Sequence, residues 1–373
     1  MNLILSTAIL VTTLTSLVLV LRYRNTRIEG SVPVPFVTFL AILFTSGLDV
    51  GLIMFPLVDF QTFATEPDYA FSNPLALEFG FWGFLVWGFY FLTTFYFCVL
   101  EPRLGLFEIP AIKIANNLTI IGTCAFTGYL FLHYLPDYIS GIPDTLRYGG
   151  VALVVLVAVV SSTHLRFVKA LSLGSTGLFL LLIIGAFFGS GVGLSGLGES
   201  LAEITNYFGQ LHRFVLPLND YHAFYLFWWF AWSIMIGQFV SRFVGGLTAW
   251  QLLLALLVVP SLPIALWFSV LYGYFTRDIT VTGLLSWAMI GVGVLFVVNS
   301  LDSLTRLYTQ NIGLTVERLG TVGYVAINWA ILFALVLSFQ FTPFKIEWVG
   351  LVVIGIYLAI YILVFRRRAQ LVS

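Results

Sequence analysis

The residues with the most chemical promise lie between Phe224 and Ser233, which read FYLFWWFAWS inside a long apolar segment. At about 100° per residue, Tyr225, Trp229 and Trp232 fall within a helical sector of roughly 100°. Trp228 is their neighbour. Such a ring cluster has two readings. One is an aromatic belt at a membrane–water boundary, the commoner arrangement for such a run taken alone. The other is a wall of π faces for a cation with no hydrogen to donate, such as a quaternary ammonium. A second aromatic group, Trp82, Trp87 and Tyr90, falls at about 0°, 140° and 80° on a helix and so shares one broad face. It spans two turns, whereas a belt sits at one depth, which favours a pocket wall.

Polar residues inside apolar runs come next. Ser46-Gly47-Leu48-Asp49-Val50-Gly51, followed by Pro56, interrupts a hydrophobic stretch. Glycine weakens a helix and lets a ligand approach the backbone. Broken helices at membrane depth survive where they line a cavity or are buried in protein. Close helix contact through Gly47 and Gly51 is the structural alternative. Asp49 weighs against it, because a carboxylate near the bilayer centre costs on the order of 3 kcal/mol. Phe296, Asn299, Ser300, Asp302 and Ser303 form another group. Their oxygens could bond a neighbouring helix or, opposite a broken helix, hold Na⁺. Asp302 counts as the second deep acid, placed to pair with Arg306. His133, His164, His212 and His222 show no ligand spacing. There is no phosphate loop, nucleophile elbow or acid–base pair set for hydrolysis, and beyond Asp49 no acid is expected in a cavity. The chain therefore reads as a non-enzyme with no cofactor.

The elements that must position these residues are membrane helices. The chain has 373 residues, 60% of them apolar and 9% charged, with a mean hydropathy of +1.01, a composition of polytopic membrane proteins. A net charge of zero gives nucleic acid no hold. Cys98 and Cys124 lie in apolar segments and read as small hydrophobes. Eleven runs are long enough to span: 2–21, 34–58, 79–100, 112–134, 149–168, 170–190, 221–244, 248–273, 281–304, 319–341 and 347–366. The first lacks a basic start and a cleavage site, so it reads as a spanning helix rather than a signal peptide. Placing the loop after it in the cytoplasm puts 13 of the 17 Lys and Arg residues inside, a strong positive-inside bias. The N-terminus is then outside and the C-terminus cytoplasmic. Between them, Leu201, Ile204, Phe208, Leu211 and Val215 make an apolar stripe, predicting one amphipathic helix over 199–215 along the interface or against a neighbouring subunit.

Taken in order, Trp228-Trp229-Phe230-Ala231-Trp232, Gly237-Gln238-Phe239-Val240-Ser241-Arg242, Val259-Pro260-Ser261-Leu262 and Leu266-Trp267-Phe268-Ser269 resemble the signature of the betaine/choline/carnitine transporter family. The Trp-x4-Trp-x2-Tyr pattern of Trp82, Trp87 and Tyr90, the broken stretch Ser46–Phe55, and Asn299-Ser300-Leu301-Asp302-Ser303 resemble further family motifs. The resemblance runs from about Arg22 to Arg366. It implies an all-α polytopic protein with a LeuT-like core of two inverted five-helix repeats, 34–190 and 221–366. One extra helix and loop (1–33) precedes the core, an external segment (191–220) joins the repeats, and a short cytoplasmic tail (367–373) follows. It implies an aromatic box of Trp82, Trp87, Tyr90 and Trp229 with Trp228 and Trp232 nearby, and a homotrimer in the inner or plasma membrane.

Departures from the family pattern bear on substrate and coupling. Asp49 stands where zwitterion-binding members keep small residues. Members that take up choline with protons carry an acid two positions later, at Gly51 here. The substrate expected is therefore a cation, choline before glycine betaine or carnitine. The family's Na⁺-binding Thr-Ser pair is Asn299-Ser300 here. The position where a Na⁺-independent relative carries Arg is Ser175, and the family's proline after the Trp box is replaced around Ile234. H⁺ through Asp49 or Na⁺ at Asn299 and Ser300 is the expected coupling ion. A non-transporting sensor or accessory subunit is the alternative from another class.

Overall fold

The computed structural model describes residues 1–48, 50–164 and 166–367, all helix and loop apart from one short ladder. Helix α1 (Asn2–Tyr23) leads into strand β1 (Arg27–Ile28). The stretch expected to be the second span is three helical pieces, α2 (Phe36–Ser46) and, after a break, α3 (Gly51–Met54) and α4 (Pro56–Thr65). The third is also interrupted: α5 (Pro74–Trp82), a 3₁₀ turn over Phe84–Trp87, α6 (Gly88–Phe95), a π turn over Tyr96–Leu100 and α7 (Glu101–Leu104). Long helices α8 (Pro110–Tyr138), α9 (Asp144–Ser161) and α10 (Arg166–Ser190) follow. Three short helices, α11 (Gly193–Glu203), α12 (Thr205–Gly209) and α13 (Leu211–Phe214), precede α14 (Asp220–Val240). Strand β2 (Leu247–Thr248) pairs antiparallel with β1, Arg27 opposite Thr248 and Ile28 opposite Leu247. Helices α15 (Ala249–Thr276), α16 (Gly283–Ile312), α17 (Val316–Phe341) and α18 (Ile346–Arg366) complete the described chain.

Ten helices among the described residues are long and apolar enough to cross a bilayer, one of them counted across the interruptions in Pro74–Leu104. The sequence suggested eleven. The difference is the 34–58 run, whose longest uninterrupted helix is the 11-residue α2. An apolar run of 25 residues is long enough to span, but Gly47 ends the helix and Pro56 cannot continue the ladder.

Burial ranks the helices. The most apolar window of α14 is 89% buried, against 22% for α1 and 28% for α17 and α18. A helix that is apolar all round belongs in the middle of a bundle. It runs unbroken for 21 residues, without the family's proline. Close approach of its backbone to its neighbours needs glycine. A Cβ on Gly350 of α18 would lie 2.5 Å from the carbonyl oxygen of Phe227, and a Cβ on Gly237 would strike Thr93 of α6. The outward faces carry Leu3, Leu21, Phe188, Leu284 and Phe365, a surface suited to lipid.

The 199–215 stripe is not one amphipathic helix. The chain turns between α11, α12 and α13, and Ile204, Tyr207 and Phe214 point inward onto their own subunit. The stripe's spacing was helical, but Phe214 packs where Gly80 of α5 leaves no room for a side chain of its own, which fixes a bend the periodicity does not encode.

Candidate functional site

Each break leaves carbonyl groups without the partner an unbroken helix would supply. At membrane depth such groups must find other donors. In the first break they find side chains. The Gly47 carbonyl accepts from the Tyr90 hydroxyl at 3.2 Å. The Ser300 hydroxyl lies 2.8 Å from the Leu48 carbonyl and 3.4 Å from that of Thr45. Pro56 has no N–H for the Leu52 carbonyl, which takes the Trp267 indole N–H at 3.0 Å instead. The Tyr138 hydroxyl donates to the Met54 carbonyl.

The second break follows the same rule. Gly83 is extended, and Phe84 stands in the left-handed region at φ 47°. The Phe84 N–H donates to Ser261 Oγ at 2.7 Å and the Leu85 N–H to the Tyr207 hydroxyl at 3.3 Å. With the Leu85 amide turned away and α5 ending at Trp82, the carbonyls of Phe81 and Trp82 are left to side-chain donors. The indole N–H of Trp229 donates to Phe81 at 2.8 Å and that of Trp87 to Trp82 at 3.0 Å. The break therefore sets two of the indoles. It also corrects the helical wheel: Trp82 ends one helix and Trp87 closes a 3₁₀ turn, so the two do not share a face of one continuous helix.

The rings nevertheless meet. Trp82, Trp87 and Tyr90 lie 5.9, 6.3 and 5.9 Å from Trp229, ring centre to ring centre, and none is more than 1% exposed. Trp228 stands edge-on to Trp82 at 5.3 Å. Gly47 supports the cluster by having no side chain, since a Cβ there would lie 3.2 Å from the Trp87 ring and 2.9 Å from the Leu43 carbonyl oxygen. Gly47, Leu48, Trp82, Trp228, Trp229 and Trp232 enclose a cavity of about 10 Å³, room for roughly one water. A trimethylammonium group would need the rings to turn apart. The indole N–H groups of Trp228 and Trp232 have no acceptor among the described residues.

Asp49 lies outside the described residues. Gly51 is buried at the start of α3. Asn299 faces α10, with its amide 3.4 Å from both Ser172 and Ser175. Ser300 and Ser303 face the break instead, Ser303 at 3.0 Å from Ser46. The Phe296 ring packs against Phe44 and Phe179. Asp302 pairs with Arg306 at 3.4 Å, both buried.

Sequence reasoning passed over three residues beside the cluster. Phe55, 5.9 Å from Trp82 and 6.4 Å from Trp228, adds a wall that one Phe among 36 does not advertise. Asp59 and Glu78 are acids at 4% and 0% exposure, so buried acids lie beyond those the sequence singled out. A Glu within the apolar run 75–82 was the available signal.

A model of the betaine/carnitine/choline transporter family matches residues 114–279. The glycine betaine transporter OpuD of Bacillus subtilis is 22% identical over 296 residues, 66% of this chain and 56% of its own length. Glycine betaine transporter 1 of Vibrio parahaemolyticus is 24% identical over 292 residues, 64% of this chain and 54% of that one. The high-affinity choline transport protein of Escherichia coli is 29% identical over 163 residues, 40% of this chain and 24% of that one. The chain thus spans about half the length of the first two relatives. The family match covers all of α14 and α15, the helices that carry the Trp run and the serine that holds the second break. With ten membrane-length helices and rings from two spans gathered against a broken third, the chain is similar over this region to the betaine/carnitine/choline transporter family.

Proposed function

We propose that the protein is a secondary transporter that imports a quaternary-ammonium compound, choline before glycine betaine, by alternating access. One observation carries the reading: Trp82, Trp87 and Tyr90 from one broken span and Trp229 from α14 form a single buried ring cluster over Gly47. A trimethylammonium cannot donate an N–H hydrogen bond, so π faces are its natural partners, at roughly 2 kcal/mol per desolvated contact. The unpartnered indoles of Trp228 and Trp232 suit a ligand that also brings an oxygen, as both choline and betaine do. Asp49, placed by the sequence in the break, favours the ligand with net positive charge. The glycine betaine transporters among the relatives support the zwitterion as the second reading.

H⁺ through Asp49 or Na⁺ near Asn299 and Ser300 would drive uptake. The Ser300 hydroxyl and the carbonyls of Thr45 and Leu48 are a set of oxygens that suits Na⁺. The wider reading includes inverted repeats at 34–190 and 221–366, a trimer in the inner membrane, and an external N-terminus with a cytoplasmic C-terminus. The deciding measurement is flux of labelled choline and glycine betaine into proteoliposomes, with and without Na⁺ and at two pH values. Choline should enter, and Trp229→Ala should weaken its binding roughly thirty-fold, the equivalent of about 2 kcal/mol. Binding without flux would make the protein a sensor. Tight betaine binding unchanged by Asp49→Asn would replace the cation by the zwitterion.

A further inference from the structure

Two buried carboxyl groups lie one side chain away from the ring cluster, Asp59 on α4 and Glu78 on α5, and no step of the proposed transport uses them. Asp59 is well supplied with donors. Its Oδ1 accepts from the Tyr221 hydroxyl at 2.8 Å and its Oδ2 from the Tyr225 hydroxyl at 2.9 Å. Glu78 is not. Its side chain lies against those of Asp59 and Trp82, yet neither of its oxygens finds a well-formed donor.

Among the described residues no cation pairs with either acid. Ion pairs among the described residues join Lys113 to Glu108, Arg147 to Asp144 and Arg306 to Asp302, and none reaches this pair. From α8, the phenols of Tyr134 and Tyr138 and the carboxylate of Asp137 face this region. From α14, besides the two tyrosines, His222 stacks on Phe81 at 4.5 Å and its Nδ1 accepts from the Leu218 N–H, so it does not reach either acid. Beyond α4, Tyr69 bonds Asn219, which in turn reaches Asp68. Glu66 caps the end of α4. Helix α15 brings Tyr272 against Phe60, with Glu203 of α11 nearby. The Arg213 guanidinium on α13 rests 4.5 Å over the Phe71 ring.

Two ionised carboxylates in contact, dry and without a cation, repel each other strongly; one proton between them removes the repulsion and gives Glu78 its missing hydrogen bond. We propose that Asp59 and Glu78 bind one exchangeable proton, at a site separate from Asp49 and from Asn299–Ser300, and that a cation entering the ring cluster displaces it. The link is short. Glu78 touches Trp82, a wall of the cavity, and Tyr225, the donor to Asp59, stands edge-on to Trp82 at 5.6 Å. A positive ligand on the other side of that indole favours the doubly ionised pair, and the released proton goes to the solution. Proton and cation therefore compete, and a permanently cationic ligand binds more tightly as pH rises. A zwitterion, whose carboxylate offsets its ammonium, responds less.

Two measurements on the full chain in lipid test this. The first needs no ligand: the infrared C=O stretch of a protonated carboxyl near neutral pH should be present in the parent protein and lost in Glu78→Gln, with Asp59→Asn as the second variant. Its absence from the parent, or its survival in both variants, overturns the proton site. The second is a choline titration between about pH 5.5 and 8.5, where affinity should rise by up to about tenfold per pH unit in the parent and be flat in Glu78→Gln. A flat parent, or an equal slope in the variant, overturns the competition. The competition rests on the ring cluster being a quaternary-ammonium site. A parent protein that binds no choline at any pH fails that reading, while the infrared band still judges the proton site by itself.

Discussion

At the scale of single residues, the cluster depends as much on what is missing as on what is present. Gly47 lets the Trp87 ring lie on the backbone of the break, and its carbonyl anchors Tyr90. Gly47→Val should therefore push Trp87 off its position and weaken choline binding by more than about tenfold, in line with the loss of roughly one well-placed cation–π contact. Gly88→Ala, where a new Cβ meets nothing within 4 Å, is the control that should bind as the parent does. Calorimetric titration of the two proteins gives the comparison, and equal affinities would mean that the ligand does not sit against Trp87. The aromatic residues themselves were legible in the sequence because Trp is rare and its spacing is conspicuous. Asp59 and Glu78 were not. A carboxyl group's role depends on which side chains surround it, and their neighbours Tyr221 and Tyr225 lie more than 140 positions away.

At the scale of elements, the two breaks are the working parts. The first was legible as glycines and a proline in an apolar run. The second was not, because Gly83 alone is weak evidence and Phe84 is a poor residue for φ 47°. A non-glycine residue there costs on the order of 1 kcal/mol or more and persists only where its surroundings hold it. Ser261 is the chief holder: its hydroxyl accepts from the Phe84 N–H and donates to the Leu257 carbonyl. Ser261→Ala should lower stability by about 1–3 kcal/mol, the usual cost of leaving a buried donor unsatisfied. Thermal unfolding in detergent measures this, and an unchanged midpoint would show that the turn at 83–87 is held by other contacts. The amphipathic stripe at 199–215 was misread for a related reason. Helical spacing says which residues share a face, but the turns between α11, α12 and α13 are set by packing against α5.

At the scale of the whole molecule, α14 is the axis on which the other parts are hung. Its close contact with α18 depends on Gly350, where a Cβ would lie 2.5 Å from the Phe227 carbonyl oxygen. Gly350→Ala should push the helices apart, and the yield of monodisperse protein should fall severalfold, as expected when a tight small-residue contact is lost. Gly355→Ala, on the outer face of the same helix with nothing within 4 Å, should leave the yield unchanged. Equal yields would remove this contact from the list of what holds the bundle together. The number of spans was nearly legible, since apolar length is what a bilayer selects. The one discrepancy is the run 34–58, which is long enough but broken.

By itself the sequence determined the class of protein, the number of apolar runs to within one, and the positions of the tryptophans and of the first break. All of these are local properties: composition, the length of an apolar run, and the absence of a Cβ or an N–H. Only the tertiary structure decided that rings from two spans face one another across Gly47. It also decided that a second break at Gly83–Phe84 aims two of the indoles, and that Asp59 and Glu78 lie against each other with no cation paired to them among the described residues. Those outcomes depend on hydrogen bonds and contacts between residues far apart in the chain, such as Trp229 to Phe81, Ser261 to Phe84 and Ser300 to Leu48. In a membrane, a carbonyl freed by a broken helix has to find its donor inside the protein, and the folded bundle sets which side chain that is.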